Sequence, residues 1–168
     1  MHDSLSVRGA GGDDARAVQR VADAACHAVY DDILGPGVVD DIIVNWYDPD
    51  RLVADDIEPD ARPFLVAAVD DAVVGFVEGV PDDDEADVAH LYRIYVHPDY
   101  WGDGVGRALL DRLEAVFRDR GFDRLRVSVF AENDVGVRFY ESVGFGDRRT
   151  ATDEQFDTER YEYEKSPG

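Results

Sequence analysis

Cys26 is the sole cysteine in 168 residues, so no internal disulfide can form, which agrees with a reducing compartment. Basic residues are scarce as well: 17 Lys and Arg face 38 Asp and Glu, for a formal net charge of -21. A surface of that sign repels phosphate backbones and anionic lipid, which sets nucleic-acid and membrane-surface roles aside. No uninterrupted apolar run approaches the ~18 residues needed to cross a bilayer. The opening segment MHDSLSVRG has neither the basic nor the apolar region of a signal peptide. A cytoplasmic protein is the expectation. There is no internal repeat and no long linker, and 45% apolar content at this length suffices for one sizeable core but not for two. The chain therefore reads as one domain over residues 1–168.

What is abundant is acid, and it is dispersed. Asp pairs recur at 13, 31, 40, 55, 70 and 82 instead of forming one tail, the pattern of a solvated acidic shell around a normal core. Self-repulsion on this scale needs screening, and salt shortens the Debye length to about 3 Å at molar concentration. A salt-rich cytoplasm is the expected setting; an ordinary acidic protein is the alternative.

Along the chain, LSVRGAGGDD begins as a short strand. Asp13 is placed to cap a helix running to about Tyr30, with Val18, Val21, Ala25 and Val29 on one face. A second helical region covers Val38 to Tyr47, and Pro49 opens a short helix reaching about Ile57. The period then changes: Pro63 to Val69 and Val73 to Val80 read as strands of a hairpin turning at Asp70-Asp71. PDDDEAD is a loop. VAHLYRIYV, Val88 to Val96, is apolar enough to be a central strand. Helix is expected from about Gly104 to Arg120, strand in RLRVSVF, helix from Asn133 through Val143 and a last strand in FDTERYEYEK. This order predicts an α/β fold (equally an α+β description): a central mixed sheet of six to seven strands flanked by about four helices.

Between the central strand and the long helix lies VHPDYWGDGVG, with Gly102, Gly104 and Gly106 at alternate positions. Glycines before a helix N-terminus let backbone amides approach an anion, aided by the helix dipole. The Walker loop requires Lys and then Ser or Thr after its last glycine, and Arg107-Ala108 stands there. The dinucleotide pattern GxGxxG, counted from Gly102, requires glycine where Arg107 is. Neither applies. The spacing from Trp101 to Gly106 after a strand instead resembles the GNAT superfamily of N-acetyltransferases. LYRIYVHPDYWGDGVGRALL looks like that family's strand, pyrophosphate loop and helix. AENDVGVRFYESVGF, Ala131 to Phe145, is similar to its second cofactor motif. The two motifs cover about a third of the chain directly.

The resemblance implies an acyltransferase that uses acetyl-CoA, with no metal, and acts on a primary amine of a small molecule, peptide or protein. It leaves a homodimer open. It places the pyrophosphate on the amides of Trp101, Gly102, Asp103, Gly104, Val105 and Gly106. The pantetheine arm pairs with the strand end at Ile94, Tyr95 and Val96, and Asn133 also contacts that arm. At the first loop position the family usually carries Arg or Gln, and Trp101 departs from that; Arg107 and Arg138 are the cations that remain to serve a phosphate, or else are ordinary surface ion pairs.

Acetyl transfer poses two proton problems. An amine with a pKa of about 10.4 is neutral in roughly one molecule in 2,500 at pH 7, and the leaving thiolate benefits from an acid. Tyr140 matches the family's tyrosine acid. For the base, His90 stands on a strand position where some members carry glutamate, and a second such position holds Ser128. Strand alternation puts His90, Tyr92, Ile94 and Val96 on one side, with the Ile94 amide as an oxyanion donor. Glu78 is the rival base. The amine pocket falls to Tyr30, Trp46, Tyr47, Asp31 and Asp32, with no choice among them. Cys26 is remote in sequence from both motifs and nothing nearby would activate it, so direct transfer without a covalent enzyme intermediate is expected. A CoA-binding sensor without chemistry is the main alternative, and a ligand-free interaction module the third.

Overall fold

Asp70 and Asp71 both adopt positive φ, 50° and 69°, the left-handed pair that a tight hairpin requires and that Asp tolerates better than most residues. That turn joins β2 (Phe64–Val69) to β3 (Ala72–Pro81). The computed structural model describes residues 5–167, so the two ends of the 1–168 expectation lie outside the described residues. With β1 (Ser6–Gly9), β4 (Val88–Val96), β5 (Arg124–Phe130), β6 (Gly146–Asp153) and β7 (Thr158–Lys165), the strands form one sheet in the order β1-β2-β3-β4-β5-β7-β6. Every neighbouring pair is antiparallel except β4 and β5. The tail, expected to hold one or two strands, is a hairpin of two, whose outer member β6 is mostly exposed and polar, as edge strands are.

Helix α1 spans Ala15–Leu34 and outruns its predicted end at Tyr30; it stops at Gly35, where φ is 91°. Its predicted cap also moves. Asp13 lies in a preceding 3-10 turn and Asp14 takes the N-cap position. The Asp14 carboxylate accepts from the Gly11 amide at 2.8 Å and from Arg8 at 2.7 and 2.9 Å. Helix α2 (Pro36–Trp46) carries proline at its first position, where no donor is lost. The short α3 (Pro49–Arg51) continues as a π-helical stretch, Leu52–Ile57. Helices α4 (Val105–Asp119) and α5 (Asp134–Ser142) follow β4 and β5. With the short α3, the described residues hold five α-helices.

Two cores result, one on each face of the sheet. Leu109, Leu110, Leu113 and Phe117 of α4 pack on Val77, Ala89 and Val127. On the other face Val18, Ala22 and Cys26 of α1 and Val39 and Ile43 of α2 pack on Val66 and Phe76.

Two irregularities at the centre make room for a site. Glu78 pairs with Arg93 but Gly79 pairs with Leu91, so Tyr92 is an extra residue on β4, a β-bulge. The parallel ladder between β4 and β5 covers only Val88–Leu91 against Arg124–Val127 and stops at that same point. Beyond Tyr92 the two strands splay.

Candidate active site

The splay leaves a cleft with a cavity of about 630 Å³. On its β4 side the orientation of the backbone follows from one bond: the His97 amide donates to the Val74 carbonyl of β3 at 2.8 Å. Alternate residues of a strand turn their polar groups to opposite edges, so Ile94 and Val96 present theirs to the cleft. A peptide-like chain could add there as an extra strand. One of these groups is taken, because Trp101 Nε1 donates to the Val96 carbonyl at 2.8 Å. Trp101 thereby ties the turn before α4 back to the strand, a role neither Arg nor Gln side chains are needed for.

The three glycines of that turn serve two purposes. Gly102 and Gly104 have φ of 83° and 84°, and Gly104 is the N-cap of α4. Gly106 is inside the helix, where a Cβ would stand 3.0 Å from the Phe139 ring of α5; it is there for close helix packing. The helical ladder starts with the Ala108 amide donating to the Gly104 carbonyl at 3.0 Å. The amides of Val105, Gly106 and Arg107 therefore point out of the helix end toward the cavity they line. Amides without a helical partner at a helix N-terminus suit an anion, and the size of the turn fits a diphosphate. Arg107 sits at the rim, its Nη2 donating to the Ser142 carbonyl at 3.4 Å. Arg138 is exposed and, like Asp103, is not on the cavity wall.

Tyr140 and Asn133 reach the cavity from the β5 side. Asn133 caps α5 by accepting from the Gly136 amide at 2.8 Å, and its Nδ2 donates to the Tyr30 hydroxyl at 3.3 Å. The Tyr30 hydroxyl in turn lies 3.2 Å from that of Tyr95. Tyr140 is buried among Phe139 and Phe145. Its hydroxyl bonds to no protein group among the described residues, yet no fully buried side-chain polar atom there goes unpartnered. The hydroxyl therefore opens onto the cavity. Burial pushes its pKa well above the usual phenol value, so it carries its proton at neutral pH.

His90 is brought elsewhere. The bulge at Tyr92 breaks the alternation: Ala89 and Leu91 share the α4 core with Ile94 and Val96, whereas Tyr95 packs into the α1 core. His90 thus shares a face with Arg93 and Tyr95, not with Ile94 and Val96, and it does not line the cavity. Its Nε2 lies 2.7 Å from Asp82 Oδ1, a bond that draws the Asp82 carboxyl down to about 2.

Glu78 is fully buried behind the cavity wall. It belongs to a closed ring of alternating charges. Arg62 Nε and Arg93 Nε donate to its two oxygens at 2.9 and 2.8 Å, and both arginines reach Asp56 at 3.2 and 3.1 Å. Burial pushes the Glu78 carboxyl up to about 7, while Arg93 pulls it back. Only Arg93 of the ring shows itself to the cavity, with its guanidinium 4.6 Å from the Tyr47 ring centre and 5.0 Å from that of Tyr92. Arg93 is a residue the sequence reading passed over, although a lone charge inside an apolar central strand signals a buried partner.

The remaining wall is aromatic. Tyr30 and Phe156 each meet Phe130 edge-on at 5.6 Å, and Trp46 meets Phe156 at 6.4 Å. Tyr30, Trp46 and Tyr47 thus line the cavity as anticipated, but Asp31 and Asp32 do not; Asp31 instead bonds His27 Nδ1 at 2.6 Å. The carboxylate on the wall is Asp153, paired with Arg160 at 2.6 Å. Nothing in their local sequence marks Asp153, Phe156 and Arg160 as cavity residues, since the β6–β7 hairpin carries them in. Cys26 does line the cavity, against the impression of remoteness, but burial pushes its thiol up to about 12. Burial thus keeps it as the thiol, the poorly nucleophilic form, at neutral pH.

Among solved structures, the PaiA N-acetyltransferase of Thermoplasma acidophilum, in complex with coenzyme A, superposes with a TM-score of 0.84 at 25% identity, over 97% of this chain and 99% of that one. An acetyltransferase from Thermus thermophilus gives 0.71 and 22%, covering 99% of both chains. The ribosomal-protein-S18-alanine N-acetyltransferase of Escherichia coli gives 0.68 and 21%, over 98% and 94%. The model of the acetyltransferase (GNAT) family matches residues 27–145, a span running from α1 through the cleft-forming strands to the end of the second motif. The chain belongs to the GNAT acetyltransferase family.

Proposed function

We propose that this protein is a single-domain N-acetyltransferase that moves the acetyl group of acetyl-CoA directly to a primary amine. One observation carries the reading: the splayed β4–β5 cleft joins an anion-binding helix end to a strand edge open at Ile94 and at the Val96 amide, and to the open Tyr140 hydroxyl, in one cavity. Acetyl-CoA supplies the acetyl group as a thioester. The amides of Val105, Gly106 and Arg107, with those of Gly102 and Gly104 before them, hold its diphosphate. The Trp101 and Asp103 amides, expected to share in this, are taken by the Pro98 and Tyr100 carbonyls. Ile94 and Val96 pair with the pantetheine arm, and the Ile94 amide donates to the oxygen of the reacting carbonyl. Asn133 orders the wall beside that arm. Tyr140, protonated at neutral pH, gives its proton to the departing thiolate. His90 and Glu78 are off the wall, so the amine loses its proton to cavity water. Cys26, with its raised pKa, takes no part, which accords with direct transfer. Arg138, away from the cavity, serves at most the exposed end of the cofactor.

Thiol release from acetyl-CoA is the test, measured in multimolar KCl with a panel of amines. Turnover that falls ~100-fold or more in Tyr140→Phe, with CoA binding by calorimetry unchanged, supports the transferase. The absence of an imidazole or unpaired carboxylate from the wall, among the described residues, favours one rival, a CoA sensor. Heat on titrating CoA without turnover of any amine would establish it.

A further inference from the structure

Among the described residues Arg160 is one of three arginines on the cavity wall, with Arg93 and Arg107; it pairs with a single carboxylate and is held in a fixed direction. It lies on β7 opposite Phe130 of β5, and three neighbours fix its guanidinium. Nε donates to Ser128 Oγ at 2.7 Å, Nη1 donates to Asp153 Oδ2 at 2.6 Å, and the carbon of the group stands 4.8 Å from the Phe130 ring centre. Nη2 has no protein partner among the described residues, and 28% of the side chain is exposed on the cavity wall. A guanidinium held on three sides, with one donor edge left over, is pre-organised to receive a carboxylate.

We propose that Arg160 recognises a carboxylate on the acceptor, so that the cavity prefers primary amines carrying a carboxylate on an apolar body. This rests on the N-acetyltransferase reading above. The aromatic wall of Tyr30, Trp46, Phe130 and Phe156 receives the apolar body. Asp153, at 2.6 Å from Arg160, repels a dianion such as a phosphate monoester more than a monoanion, which favours the carboxylate. Polyamines fit poorly. Of the cavity rings, Tyr47 and Tyr92 already serve Arg93 and Phe130 serves Arg160, and the carboxylate on the wall, the stronger attractor for a second cation, is already paired. Ser128 acquires a purpose here: its hydroxyl oxygen aims the arginine.

The experiment compares acceptors that differ at one group. Phenylalanine, leucine and tryptophan are each run against the decarboxylated amine and the carboxamide, with spermidine as the cationic probe. Wild type is expected to show kcat/KM at least ~10-fold higher for the amino acids, even though the carboxamides hold more neutral amine at pH 7. Arg160→Gln should lower the amino-acid value ~10- to 100-fold, mainly through KM, and leave the decarboxylated amines within ~2-fold. Arg160→Lys should fall between them, and Ser128→Ala should lose several-fold on amino acids alone. CoA affinity by calorimetry should not move in any variant; should Arg160→Gln fail to bind CoA, the wild-type comparison and Ser128→Ala decide. Equal or better turnover of decarboxylated amines or spermidine overturns the carboxylate proposal and leaves the transferase intact. No turnover with any amine overturns both.

Discussion

The cavity has two sides built on different principles. The side formed by β4, the glycine turn and α4 offers main-chain groups: the Val105–Arg107 amides and the open edge at Ile94 and Val96. The side formed by α1, α2, the end of β5 and the β6–β7 hairpin offers side chains: the rings of Tyr30, Trp46, Phe130 and Phe156, and Arg160, with Arg93 reaching this wall from β4. Backbone groups are the same in every sequence, so the first side is specified by where glycine and helix boundaries fall. The second depends on which residues four separate segments bring together. A shared cofactor suits the first arrangement, and a variable acceptor suits the second.

The largest expected effect is on the side-chain half. Arg93→Ala leaves Glu78 and Asp56 buried with one guanidinium between them, and removing one partner of a buried ion pair costs about 3–5 kcal/mol. Urea denaturation should show that loss, and a shift under ~1 kcal/mol would mean the ring contributes little to this wall. On the main-chain half, Gly104→Ala forces φ of 84° on a residue with a Cβ, at about 1–3 kcal/mol. Because the strain falls on the turn itself, CoA affinity should drop about tenfold or more by calorimetry, with acceptor KM nearly unchanged. An unchanged CoA affinity would break the division of labour. Both halves share the acidic surface: with a net charge of -21, melting in multimolar KCl should occur well above melting at low salt. Equal melting temperatures would remove the salt-rich setting proposed for this protein.

The smallest effect concerns the contact between α1 and α2. His27 Nδ1 lies 2.6 Å from Asp31, and Nε2 lies 2.9 Å from Asp40 of α2 and 3.5 Å from Asp23. Asp31 first, then Asp40, raises the His27 pKa above its ordinary 6.5. A group whose folded pKa is raised stabilises fully below its unfolded pKa and loses that contribution as pH rises through the folded value. Wild type should therefore lose a little melting temperature between pH 6 and pH 9 relative to His27→Gln, and parallel pH curves would show that this pin does not hold α2.

Periodicity located the strands and helices because burial is written locally, one face at a time. The hairpin at Asp70-Asp71 and the helix after Gly104 were legible for that reason. His90 was misplaced because period-two counting assumes an unbroken ladder, and the bulge at Tyr92 is set by how β3 and β4 pair. Asp14 replaced Asp13 at the first helix because Arg8 and the Gly11 amide select it. Asp31 and Asp32 were candidates for the acceptor pocket, but helix phase turns them away from it.

By itself, then, the order of residues determined the sheet-and-helix succession, the glycine turn, the charge of the surface and the family to which the chain belongs, all of which rest on spacing within short segments. Only the tertiary structure decided that β4 and β5 part at Tyr92, that Glu78 is locked in a ring behind the wall, and that Ser128, Asp153 and Arg160 meet. Those outcomes join residues as far as 37 positions apart, Asp56 to Arg93, and contacts at such separation are settled by strand pairing and packing, which no local pattern encodes.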